Sequence, residues 1–109
     1  MDFCLDGKKV LVAGATGGLG RAVALGLAAE GAHLALTSRH LGPDLLTLAE
    51  EINLSGPQPV SVAMDLEDLT SVRAAVEQAS NELGGLDGLW GWPAGFYKQQ
   101  TTLTRENME

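Results

Sequence analysis

The chain has 109 residues, 45% apolar and 19% charged, with a formal net charge of -7; this suffices for a single small domain over 1–109 that buries roughly 65% of its unfolded surface. The negative charge argues against nucleic acid or an anionic membrane as a partner. A single cysteine, Cys4, excludes an internal disulfide or a cysteine-cluster metal site, no apolar run approaches the ~20 residues of a membrane span, and the acid-bearing start MDFCLDGKK does not read as a signal peptide, so a cytoplasmic protein is expected.

In chain order, VLVA (10–13) reads as a strand buried on both faces, ended by glycine. Small and apolar residues from Gly18 to Glu30 predict a helix that Gly31 stops. AHLALTS is a second strand; Pro43 then suits a first helical turn, and DLLTLAEEINL carries helical spacing up to SGP. PVSVAMD is a third strand. In LTSVRAAVEQASNEL, Val72, Ala75, Val76, Ala79 and Leu83 fall on one helical face, and Gly84 and Gly85 close the helix. LDGLWGW is a fourth strand. No repeat, linker or low-complexity segment interrupts this order.

The pattern βαβαβαβ predicts an α/β fold: a Rossmann-type doubly wound parallel sheet, incomplete, with strand order 3-2-1-4. The chain ends soon after the fourth strand, so no fifth strand is expected to cover it. A bare parallel edge promotes association. The expectation is a fragment, a truncated form, or a subunit that needs a partner, with self-association or a missing C-terminal half supplying the cover.

The segment GATGGLGR lies at the first strand-to-helix turn. Here a helix N-terminus offers free amides and about half a positive charge, and glycine lets backbone approach a pyrophosphate. A tight turn with nothing bound is the alternative. No Gly-Lys-Ser/Thr follows, so this is not a P-loop, and the spacing is not G-x-G-x-x-G.

The spacing Gly14-x-x-x-Gly18-x-Gly20 resembles the short-chain dehydrogenase/reductase family, whose turn reads T-G-x-x-x-G-x-G, with Ala13 in place of the threonine. The same residues also read Gly14-x-x-Gly17-x-x-Gly20, the pattern of the family's extended branch, and the motif alone does not choose. Asp65-Leu66 matches the shorter-chain branch's acid that contacts the adenine amino group. LDGLWGWPAG is similar to its D-x-L-V-x-N-A-G strand through Asp87, Leu89, Ala94 and Gly95. The resemblance, from Leu5 to about Tyr97, favours the shorter-chain branch. It implies a dinucleotide cofactor contacted by Gly14, Thr16, Gly17, Gly18, Leu19 and Gly20, by Ser38 and Arg39, by Asp65 and Leu66, and by Ala94 and Gly95.

Cofactor choice turns on the end of the second strand, where NAD-dependent enzymes place an acid for the ribose 2′-hydroxyl. This chain has Thr37-Ser38-Arg39-His40 instead. Arginine's planar fork suits a phosphate and Ser38 can donate a hydrogen bond, so NADP(H) is favoured over NAD(H). A solvated Arg39 is the alternative. His40 is expected to be exposed, His33 structural, and Glu50 and Glu51 a solvated face. Asp65 could instead cap the following turn.

The family's catalytic tyrosine is followed four residues on by a lysine. The only tyrosine here is Tyr97, and Thr101 stands where that lysine would be. No catalytic residue is assigned and no metal is expected. Trp92 falls on the family's asparagine, beside Trp90 and Pro93. Two tryptophans would overfill a strand end built for smaller groups; the readings of this departure are repacking of a loose half-domain, a local sequence error between intact flanks, or a pocket blocked against nicotinamide. The expected function is the NADP(H)-binding N-terminal part of a short-chain oxidoreductase acting on a carbonyl or alcohol, inactive alone. A non-catalytic dinucleotide-binding or dimerising module is the alternative, and an unstable truncation product a third.

Overall fold

The computed structural model describes residues 5–54, 56–91 and 95–96. Strand β1 (Lys9–Val12) leads to helix α1 (Gly18–Ala29), β2 (His33–Ser38), α2 (Pro43–Asn53), β3 (Val60–Ala63), α3 (Leu69–Leu83) and β4 (Gly88–Gly91). A two-residue strand, β5 (Gly95–Phe96), follows. The sheet order is β3-β2-β1-β4-β5, and the first four strands are parallel. The predicted order 3-2-1-4 is therefore present.

Local chemistry explains the helix ends. Pro43 opens α2, where a missing amide proton costs nothing. Asp68 caps α3, accepting from the amides of Thr70 at 3.0 Å and Ser71 at 3.4 Å. Gly84 ends α3 in the left-handed region at φ 79°. The strands read as continuous apolar runs because both sheet faces are covered. Val10, Val12, Leu34 and Leu36 share one cluster with Ala24 and Ala28 of α1 and Leu45, Leu48 and Ile52 of α2. Leu11, Ala35 and Val62 pack on the other side with Ala75, Val76 and Ala79 of α3.

The start of the sheet is clamped by Asp87. Its Oδ2 accepts from the Lys9 amide at 2.8 Å, and its own amide donates to the Lys9 carbonyl at 2.6 Å. Lys9 Nζ also donates to the Gly84 carbonyl at 3.3 Å. These bonds fix where β4 begins relative to β1.

Two expectations about β4 are corrected. Its outer edge is not bare throughout: β5 pairs antiparallel with it, Phe96 opposite Trp90 and Gly95 opposite Gly91. Antiparallel pairing needs only a short return of the chain, whereas a parallel fifth strand would need a crossover. Trp90 does not overfill the strand end. It is 9% exposed and lies in the cluster of Val10, Val12, Ala15 and Ala24. Alanines on that face leave volume for an indole. Trp92 and Pro93 lie outside the described residues.

Candidate functional site

Three backbone hydrogen bonds hold the glycine-rich turn. The Ala13 amide donates to the Trp90 carbonyl at 2.7 Å, the Ala15 amide to Thr37 at 2.9 Å, and the Gly17 amide to Gly14 at 3.1 Å. Strands β4 and β2 thus grip the turn from both sides, because β1 lies between them. Thr37 is fully buried, and its hydroxyl donates to the Val12 carbonyl at 3.0 Å.

The glycines of the turn have different duties. Gly14 takes φ 67°, which side-chain-bearing residues avoid. A Cβ on Gly20 would collide with the Gly14 carbonyl, lying 2.9 Å from its carbon and 3.2 Å from Ala15 Cα. A Cβ on Gly18 would meet nothing within 4 Å. Backbone conformation accounts for glycine at position 14 and packing for glycine at 20, and neither accounts for it at 18.

Helix α1 begins at Gly18 on an extended Gly17, with no side-chain cap and no acid in its first turn. Asp68 does for α3 what nothing does for α1. The first amides of α1 therefore keep their donor capacity and the positive end of the helix dipole unneutralised. Together with the open space at Gly18, this suits a pyrophosphate: backbone donors at a helix start whose first residue carries no side chain.

Ser38 ends β2, Arg39 follows it, and Asp65 and Leu66 follow β3, at the carboxyl ends of strands where open α/β sheets bind ligands. Thr16, Ser38, Arg39 and His40 line one depression of about 260 Å3, with Gly42, Pro43, Asp44 and Leu45 at the start of α2. Arg39 and His40 are exposed. The Ser38 hydroxyl donates to the His40 carbonyl within the β2–α2 turn. Its lone pairs remain as acceptors. Asp44 was not singled out by sequence; only the proximity of α2's first turn to the end of β2 could have signalled it. A second depression, about 440 Å3, is lined by Leu41, Gly42, Pro43, Leu45, Leu46 and Ser61 and carries no charged group.

Asp65 follows β3 and is half-buried. Its Oδ1 accepts from the Glu67 amide at 3.0 Å, and its amide donates to Ser71 Oγ at 2.9 Å. It therefore does cap the turn before α3, and one carboxylate oxygen is committed there. Leu66 beside it is 53% exposed. Leu19, in the first turn of α1, is 52% exposed. Gly95 lies in β5 opposite Gly91. Ala94 and Tyr97 are outside the described residues. Glu51 is not simply solvated: it forms an ion pair with Arg21, joining α2 to α1.

Residues 8–108 match the family described as short chain dehydrogenase. The chain belongs to this family. The glycine betaine reductase ATRR of Emericella nidulans is 43% identical over 83 residues, covering 76% of this chain and 6% of its own length. A short chain dehydrogenase from Burkholderia cenocepacia, solved in complex with NADP, is 35% identical with a TM-score of 0.73, covering 78% of this chain and 35% of that one. An NADH-dependent reductase complexed with NAD is 28% identical with a TM-score of 0.73, covering 79% and 36%. This short-chain dehydrogenase chain thus spans about a third or less of the length of these relatives. Both dinucleotides occur among its structural neighbours, and it shares with them the Rossmann-type fold of the family. Among the described residues, no helix is long and apolar enough to cross a membrane.

Proposed function

We propose that the chain is the NADP(H)-binding part of a short-chain oxidoreductase that interconverts a carbonyl and an alcohol. The observation that carries this reading is the depression shared by Thr16, Ser38, Arg39 and His40, which joins the uncapped glycine-rich turn to a guanidinium at the end of β2. The α1 amides and Gly18 would hold the pyrophosphate, Arg39 the 2′-phosphate, and Asp65 with Leu66 the adenine. Bound there, the nicotinamide supplies or accepts the hydride. This chain's own residues bind and orient. Residues 1–109 contain no tyrosine followed four residues on by lysine, so no proton donor for the carbonyl is assigned within them.

Calorimetry with 2′-phospho-AMP against AMP tests the cofactor assignment. Losing a charge-assisted phosphate contact costs about 1.5–3 kcal/mol, so 2′-phospho-AMP should bind more tightly and Arg39→Ala should remove most of the difference. Equal affinities in the unaltered chain would overturn the assignment. The 109-residue chain should bind without turnover, and NADPH oxidation above that of a Gly18→Asp control would refute this.

The alternative, a non-catalytic dinucleotide-binding or dimerising module, is favoured by one observation: β5 pairs only with Trp90 and Gly91, so the first half of β4 has no outer partner among the described residues. That edge also supports self-association, or cover by a C-terminal half, within the main reading. A cytoplasmic location belongs to the same reading, supported by the single cysteine.

A further inference from the structure

We infer that Asp44 sets the strength of the cofactor preference by opposing a 2′-phosphate, an inference that rests on the reading of the Ser38–Arg39 depression given above. Asp44 is the second residue of α2 and lies beyond the end of β2, where an acid for the ribose is ordinarily sought. The fold nevertheless brings it to the depression lined by Thr16, Ser38, Arg39 and His40. Gly42 enters α2 in extended backbone and Pro43 fixes the first turn, which holds Asp44 at the helix start. Its side chain is exposed and forms no ion pair among the described residues.

The charge balance of the depression follows. Arg39 carries one positive charge and Asp44 one negative, so these two lining charges offset each other. A depression shaped only by the demand for a dianionic phosphate would leave the guanidinium unopposed. Asp44 repels that phosphate, while its carboxylate remains an acceptor that a ribose hydroxyl can use. The preference for the 2′-phosphate is then smaller than Arg39 alone would give. Across a depression of this size, with solvent and ~0.15 M salt between the charges, the effect on a dianion is about two- to fivefold in affinity.

The test is calorimetry on the 109-residue chain with 2′-phospho-AMP and with AMP, comparing the unaltered chain, Asp44→Asn and Asp44→Glu. Asp44→Asn should raise the affinity ratio in favour of 2′-phospho-AMP by about two- to fivefold, and the gain should shrink as salt is raised towards ~1 M. Asp44→Glu, which keeps the charge, should leave the ratio within about twofold. An unchanged ratio in Asp44→Asn overturns the inference, as does an equal loss of both affinities, the outcome of a merely structural role at the helix start. If Arg39→Ala still collapses the ratio in that case, the reading of the depression stands without Asp44. If neither compound binds, both fall.

Discussion

The carbonyl of Gly14 occupies the space that a side chain at Gly20 would need. The two residues are brought together by the left-handed backbone at Gly14, which folds the turn onto the first turn of α1. Gly18, between them, touches nothing that a methyl group would displace. Gly20→Ala should therefore destabilise the chain by about 1–3 kcal/mol through overpacking. Gly18→Ala should leave stability unchanged or raise it slightly, since alanine favours a helix over glycine by about 0.5–1 kcal/mol. It should nonetheless weaken dinucleotide binding. Urea melts and calorimetry on both variants separate the effects, and loss of stability in Gly18→Ala would contradict the division.

Thr37 is the buried hydroxyl that ties β2 to β1 just below the turn, through the Val12 carbonyl at 3.0 Å. Thr37→Val keeps the volume but removes the donor. The expected cost is about 1–2 kcal/mol by urea melt. Thr37→Ser, which keeps the hydroxyl, should retain the bond and lose only a methyl contact. Similar losses in both variants would mean that packing, not the bond, sets the cost.

The Arg21–Glu51 pair links α1 to α2 on the surface, with the two side chains 46% and 41% exposed. At that exposure, solvent screening limits it to about 0–1 kcal/mol. A double-mutant cycle with Arg21→Ala and Glu51→Ala should give a coupling within that range, falling towards zero at about 1 M salt. A larger, salt-insensitive coupling would show that the pair does more than join two exposed helices.

Trp90 has its indole in the α1–α2 side of the core and its backbone paired with Phe96. In a Trp92→Phe background it is the single tryptophan, excited selectively at the red edge of its absorption. Its fluorescence should be blue-shifted in the folded chain and move to the red on unfolding in urea. The unpaired first half of β4 predicts a concentration-dependent mass in sedimentation, because open strand edges recruit other strands. A strictly monomeric chain with cooperative melting would count against self-association and for a self-sufficient binding module.

The sequence by itself determined the order of strands and helices and the position of the glycine-rich turn. These rest on local rules: within a helix proline fits the first turn, as at Pro43, glycine can take the left-handed stop that Gly31 and Gly84 adopt, and the face of Val72, Ala75, Val76 and Ala79 repeats at helical spacing. The strand order followed as well, since right-handed crossovers leave few alternatives. What only the tertiary structure decided are the meetings of residues distant along the chain. Thr16 and Asp44 line one depression, Arg21 finds Glu51, Trp90 is received among the alanines of α1, and β5 returns antiparallel to β4. The Ser38 hydroxyl donates to the carbonyl of His40 two residues on. Local periodicity carries no information on such pairings, because they are set by the spacing between packed elements and by which donors the closed turns leave free.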